Sequence, residues 1–180
     1  MAEDSRKQVG PADAVRAYRF EGDGAIPNNV LPLLVYPGAV DVSGADPAAA
    51  FERLFAGNGW GGSWRNGIFP FPHYHSTAHE VLGIARGEAR VRFGGARGAI
   101  CAVGPGDVVV IPAGVGHQNL GSGADLLVVG AYPGGSEVDL KRGGAAKRRA
   151  VEASIAGVPL PEADPVHGAD GPLLRLWRGA

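Results

Sequence analysis

Short apolar runs separated by glycine and proline dominate this chain. Val15-Arg-Ala-Tyr-Arg-Phe20 alternates weakly between apolar and polar positions, and after a turn at Gly22-Asp23-Gly24 the stretch Leu31 to Tyr36 supplies a second extended run. One segment breaks this habit. Asp46 can cap the free amides of a helix over residues 47–57 while Pro47 occupies its first turn without losing a hydrogen bond. Phe51, Leu54 and Phe55 then share one face of that helix, and Gly57-Asn58-Gly59 stops it. From Trp64 onward the pattern is strand and turn. Ile68 to Phe71 leads into a histidine pair, and Glu80 to Ala85, Ala89 to Phe93, Ala99 to Val103, Val108 to Ile111 and Leu126 to Ala131 follow as extended runs. Gly87-Glu88, Gly94-Gly95 and Gly104-Pro105-Gly106-Asp107 carry the turn chemistry between them. Six or seven strands at this spacing predict a small antiparallel all-β barrel or sandwich.

The ends read differently. Residues 1–13 are polar and are expected to be a flexible N-terminus, leaving 14–140 for the barrel and 141–180 for a C-terminal helix and tail. A short helix is predicted across Lys147 to Ile155, and Val158-Pro-Leu-Pro-Glu-Ala-Asp-Pro165 then forbids regular structure. Leu173, Leu174, Leu176 and Trp177 are too apolar to stand in water, so the tail is expected to pack on the barrel or on a partner subunit.

Composition narrows the function classes. With 180 residues, 45% of them hydrophobic, the chain can bury one core and is short for two. Thirty glycines and fourteen prolines suit many turns. A formal net charge of −1 gives no field that would gather a polyanion, and the basic cluster Lys141-Arg142 with Lys147-Arg148-Arg149 reads as a solvated face, so nucleic acid is not an expected partner. The single Cys101, set among Ile100, Ala102 and Val103, reads as a buried strand thiol in a reducing compartment. No apolar run suits a signal peptide or a membrane helix, and the expectation is a cytoplasmic protein without a membrane partner.

Chemistry concentrates in two stretches. In an extended strand residues two apart face the same way, so His73 and His75 can present both imidazoles to one side, with Glu80 and the distant His117 completing a shell of three nitrogens and one oxygen. Such a shell, free of cysteine, suits one divalent transition metal drawn from iron, manganese, nickel, copper, cobalt or zinc. Open coordination positions beside it would let the metal act on water, substrate or dioxygen. His79, next to Glu80, is expected to point away from the ion, as a supporting or surface group with a lesser chance of touching metal or substrate. His167 lies in the proline-rich tail and is expected to be solvated.

The motifs resemble those of the cupin superfamily. Five residues separate Gly67 from His73, four separate His75 from Glu80, and six separate Glu80 from Gly87, which matches the first cupin motif without departure. Gly106, Pro112, Gly114 and His117 match the second; Asn119 then stands two residues beyond the histidine, closer than the family's usual asparagine. More narrowly, Gly22 to Asn29, Gly62 to Gly67, His73 to Gly87, Gly106 to Gly121 and Asp170 to Trp177 look like the YjlB-like branch of single-domain cupins. The resemblance implies a single-domain double-stranded β-helix of jelly-roll type with a few short helices at the N-terminal side and in the C-terminal tail. It also implies a homodimer, and a small-molecule ligand at the barrel mouth.

Several side chains are candidates to line that mouth. Arg65 could hold a carboxylate or phosphate through its planar fork. Trp64, Tyr74 and Gln118 could contact substrate, and Phe69 or Phe71 could form a wall. Arg90 and Arg92 alternate with Ala89, Val91 and Phe93 and are expected to face outward. The function expected is a small-molecule metalloenzyme, either dioxygenase-like or a Lewis-acid isomerase or hydrolase. The alternatives are a ligand-binding or sensory module without catalysis, or a barrel whose metal is structural.

Overall fold

The computed structural model describes residues 14–180, so the expectation for residues 1–13 lies outside the described residues. In chain order the elements are β1 (Arg16–Phe20), β2 (Asn29–Tyr36), α1 (Pro47–Gly57), β3 (Trp60–Asn66), β4 (Glu80–Arg86), β5 (Ala89–Phe93), β6 (Ala99–Val103), β7 (Val108–Ile111), β8 (His117–Ser122), β9 (Leu127–Pro133), α2 (Arg148–Ala156) and α3 (Pro172–Arg178). The strands form two antiparallel sheets, one of six strands in the order β1-β2-β7-β4-β9-β3 and one of three in the order β6-β5-β8. That is the two-sheet antiparallel jelly roll that the resemblance implies. No helix among the described residues is long and apolar enough to cross a membrane.

The six-stranded sheet is covered on both faces, which explains why its central strands are apolar at nearly every position. On β4, Leu82 and Ile84 face the three-stranded sheet, clustering with its Val91 and Phe93 and with Val109 and Ile111 of β7 beside them. Val81 and Ala85 face the other way, into a layer built by Phe51 and Phe55 of α1 and by Leu173 and Trp177 of α3. The parity of β4 therefore fixes what its first residue can do. Glu80 shares the face of Leu82 and Ile84 and enters the barrel, while His79 is thrown to the helix side.

Helix α1 starts where the sequence predicts, with the Asp46 carboxylate accepting from the Ala49 amide at 3.3 Å. Helix α2 follows a left-handed Lys147. The apolar tail folds into α3 and packs on its own chain: Leu173 and Trp177 are buried, and the Trp177 indole donates to the Pro32 carbonyl at 2.9 Å. Those side chains are spent inside the protomer, so the tail does not offer the apolar surface for a second copy that its composition suggests. Three further details differ from the sequence expectation. Strand β3 begins at Trp60 rather than Trp64, the segment around the histidine pair is held by isolated bridges instead of a regular strand, and His117 opens the additional strand β8.

Candidate metal centre

His73 and His117 stand opposite each other across an antiparallel bridge, each backbone amide donating to the other's carbonyl at 3.2 and 2.9 Å. Their rings lie 4.0 Å apart. His75 follows two residues later on the same face, and its carbonyl accepts from the Gly114 amide at 2.7 Å. Gly114 turns with φ +88°, and a Cβ there would sit 2.6 Å from the Asn28 carbonyl oxygen; the turn that feeds His117 inward therefore requires glycine. The three histidines are buried, and each offers a ligating nitrogen within 4.8 Å of the others.

Hydrogen bonds fix which nitrogen that is. His73 Nδ1 lies 3.0 Å from the Phe71 carbonyl, His117 Nδ1 lies 3.1 Å from the Val115 carbonyl, and His75 Nδ1 lies 2.5 Å from the Asp139 carbonyl. A carbonyl only accepts, so each neutral ring keeps its proton on Nδ1 and turns a bare Nε2 lone pair toward the centre. The Glu80 Oε2 atom lies 3.2 Å from His75 Nε2 and 3.3 Å from His117 Nε2, yet no donor is aimed at it. Buried lone pairs facing a buried carboxylate oxygen are unfavourable unless a cation or a proton stands between them. These four residues could hold a divalent metal, and their donor chemistry fits one.

The charges are tuned accordingly. Burial, aided by the nearby His117, pushes His73 down to about 3, so it stays neutral over the ordinary pH range. Burial opposes ionisation of Glu80, but the His117 and His75 imidazoles beside it outweigh that and hold the carboxyl well below the usual range. Burial likewise lowers His75, and the Glu80 carboxylate more than reverses that. A proton and a cation thus compete for the same point. The other carboxylate oxygen is occupied: the Tyr132 hydroxyl donates to Glu80 Oε1 at 3.3 Å, and the Trp64 indole donates to the Tyr132 oxygen at 2.8 Å. That relay leaves Oε2 as the oxygen free to face the histidines.

The centre forms the floor of a cavity of about 490 Å³. Trp64 lines it as expected, and Phe69 stands at its opening, stacked on Phe71 with 4.8 Å between ring centroids. Four other candidates lie elsewhere. Arg65 neighbours Trp64 and so points out of the barrel, where its fork spans both oxygens of Glu52 at 2.7 and 2.8 Å and both of Asp46 at 3.1 and 3.0 Å. Tyr74, between the two histidines, is buried against a groove beside Lys141 and α2. Gln118 donates to the Pro70 carbonyl at 3.1 Å and faces a separate depression with Arg92 and Arg142. Arg92 is half-buried there, whereas Arg90 is exposed. Asn119 shapes a turn, accepting from the Gly121 amide at 2.9 Å. His167 is half-buried near the Tyr36 ring, not solvated.

His79 is the fourth of these candidates. It is 1% exposed, accepts from the Ala113 amide at its Nδ1 (2.9 Å) and meets the Trp177 ring edge-on at 4.7 Å. Burial lowers it to about 4 from an ordinary 6.5, the Pro159 carbonyl opposing only in part. The unfolded chain takes up this proton near 6.5 while the folded chain resists until about 4, so the contribution is intact above pH 6.5 and is lost as pH falls through that window. The loss amounts to about 3 kcal/mol. In His79→Asn the side-chain oxygen keeps the Ala113 amide and takes no proton. Urea unfolding of the metal-free proteins at pH 7.5 and 4.5 is expected to show the variant losing about 2–3 kcal/mol less than the parent between them. Parallel losses would contradict this assignment.

Four lining residues are not among those expected from the sequence. Tyr132 extends the barrel-facing parity of Val128 and Gly130, a signal available in the alternation. Asp139 has no such signal: the loop after β9 folds back so that its carboxylate accepts from the Ser76 amide at 2.7 Å and the Thr77 hydroxyl at 3.2 Å. Val138 and Leu140 come with it to the cavity wall.

Comparison with known proteins agrees with this architecture. The profile of the family described as Cupin matches residues 64–132. The "uncharacterized protein YjlB" of Bacillus subtilis (strain 168) is 44% identical over 163 residues, spanning 90% of this chain and 96% of that protein. Among solved structures, acireductone dioxygenase from Bacillus anthracis, described with a cadmium ion in its active centre, aligns at 18% identity and TM-score 0.38 over 51% of this chain and 61% of its own. Procruciferin, an 11S globulin from Brassica napus, aligns at 19% identity and TM-score 0.37 over 44% of this chain, which spans only 21% of the globulin.

Proposed function

The chain belongs to the YjlB-like branch of the cupin family, and from that premise we propose that it is a metal-dependent enzyme acting on a small organic molecule. His73, His75 and His117 would hold the ion through Nε2, and Glu80 through Oε2. The observation that carries this reading is the set of three bare nitrogens with proton positions fixed by backbone carbonyls, facing a carboxylate oxygen that has no donor. A bound divalent ion would supply Lewis acidity or a site for dioxygen. The chain's own residues would orient the ion, exclude water from it and present substrate through the apolar cavity. A metal that merely ties strands together is disfavoured, because such sites are closed by protein atoms whereas this floor opens into a cavity.

One observation favours a second reading, in which the barrel binds its ligand without changing it. Among the described residues the other ionisable side chains of the cavity are already engaged: Tyr132 donates to Glu80, and the Asp139 carboxylate accepts from Ser76 and Thr77. Metal analysis of protein purified without chelator, then restoration of iron, manganese, nickel or zinc singly with turnover followed on acids, thiols, sugars and neutral aromatics, separates the two. Turnover with one metal supports the enzyme; tight binding with ligand recovered unchanged supports the binding module. A cytoplasmic homodimer completes the reading, with a contact surface other than α3.

A further inference from the structure

We infer that the substrate has one small ligating end and an uncharged, largely apolar body, a conclusion that rests on the metal-centre reading above. The walls that rise from the histidines are largely apolar, made by Trp64, Ile68, Phe69, Leu82, Val138 and Leu140, with the neutral amide of Asn66 among them. Among the described residues no lysine or arginine lines the cavity. Arg65 is locked outside by Asp46 and Glu52, and Arg142 lies over the Phe71 ring at 3.7 Å, also away from the lining. The formal charges the cavity does carry, on Glu80 and Asp139, are negative. A substrate anion at the ligating end is neutralised by the ion. A second anion on the body would meet no counter-charge and would lose its water against hydrocarbon.

The opening points the same way. Of the five large apolar residues exposed in the described structure, Phe69 at 49% and Leu140 at 48% stand at this one cavity. Apolar lips around a concave site with convergent polar groups at its floor are the arrangement that captures an apolar ligand. The flat wall is built in at the backbone: a Cβ on Gly130 would lie 2.1 Å from the Trp64 ring, so glycine there lets the indole lie against β9. A volume of about 490 Å³ accommodates one or two rings.

Two probes with the same ligating diol separate the classes. The full-length cobalt(II)-loaded protein, held without oxygen, is titrated with 4-methylcatechol and with 3,4-dihydroxybenzoate, using calorimetry and the absorption of the ion. The methyl compound is expected to bind at least about tenfold tighter, and Leu140→Lys, a change at an exposed rim position, is expected to narrow the ratio to about threefold or less. Equal or tighter binding of the benzoate overturns the inference, as does failure of both probes to perturb the ion, or a variant ratio equal to that of the parent. Protein that takes up no cobalt sinks the metal-centre reading and the substrate class with it. Cobalt uptake with the wrong preference sinks the substrate class alone.

Discussion

Replacing His75 by alanine is expected to lower metal affinity by about a hundredfold or more. Four-ligand sites in small metal-dependent domains bind with about 10–16 kcal/mol, or about 3 kcal/mol per donor, and each 1.4 kcal/mol is a factor of about ten. His75 is a demanding position to lose, because its Nε2 is 3.2 Å from Glu80 Oε2 and its Nδ1 is tied to the Asp139 carbonyl. Removing it strips one donor and leaves the buried carboxylate with one fewer partner. The stabilisation that added metal gives to the parent, about 2.7 kcal/mol at a hundredfold excess over the dissociation constant, should nearly vanish in the variant. Metal content after dialysis and melting temperature with and without metal measure both effects. Arg65→Ala is the matched control, since it removes the ion pairs to Asp46 and Glu52 on the outside of the barrel and leaves the donors alone. A His75→Ala protein with the parent's metal content would overturn the assignment.

That contrast between neighbours explains what was legible in the sequence. The donors were readable because period-two alternation puts His73 and His75 on one face, and because glycine and proline at Pro112-x-Gly114 mark the turn that delivers His117. The same alternation turns Arg65, Tyr74 and Gln118 away from the cavity, against their expected substrate contacts, and turns His79 away from the ion, as expected. Arg65 follows Trp64, Tyr74 separates the histidines, His79 precedes Glu80 and Gln118 follows His117; one step along an extended backbone reverses the side chain. Each of the four accordingly lies in a different environment: ion pairs with α1, a groove by α2, the helix-covered layer, and a second depression.

Fold class was readable from turn spacing and the capped helix at Asp46-Pro47, but closure was not. Tyr132 lies one residue beyond the apolar run Leu126 to Ala131, and Asp139 reaches the site because the loop after β9 returns to residues 74–77, a contact across more than sixty positions. Local pattern carries no information about such a return. The apolar tail shows the same limit. Its composition demanded a partner surface, and only the assembled layer decides that the partner is β2 and α1 of its own chain.

Asp164 decides how firmly that tail is held, and Asp164→Ala is expected to cost about 3–5 kcal/mol in unfolding free energy. The residue is fully buried. Its Oδ2 accepts from the Tyr36 hydroxyl at 2.6 Å and the Leu173 amide at 3.1 Å, and its Oδ1 accepts from the Val166 and His167 amides at 2.8 and 3.0 Å. Burial, together with this neighbouring carboxylate, keeps the Tyr36 phenol protonated far above its usual range, so the tyrosine is a dedicated donor. Alanine would orphan two buried donors and two half-buried ones, the latter able to find water; Asp164→Asn, with one accepting oxygen left, should lose about half as much. Packing extends the consequence toward the metal centre. Asp164 caps the chain entering α3, α3 carries Trp177, and Trp177 covers His79, the residue before Glu80. Loosening α3 should therefore hydrate His79 and shrink the acid-sensitive window between pH 6.5 and about 4 as well as lowering stability at neutral pH. Urea unfolding at both ends of that window, with proteolysis of residues 158–171 as a local readout, tests the two together. A loss below about 1 kcal/mol, or an unchanged acid window in a destabilised variant, would break the link between the tail and the centre.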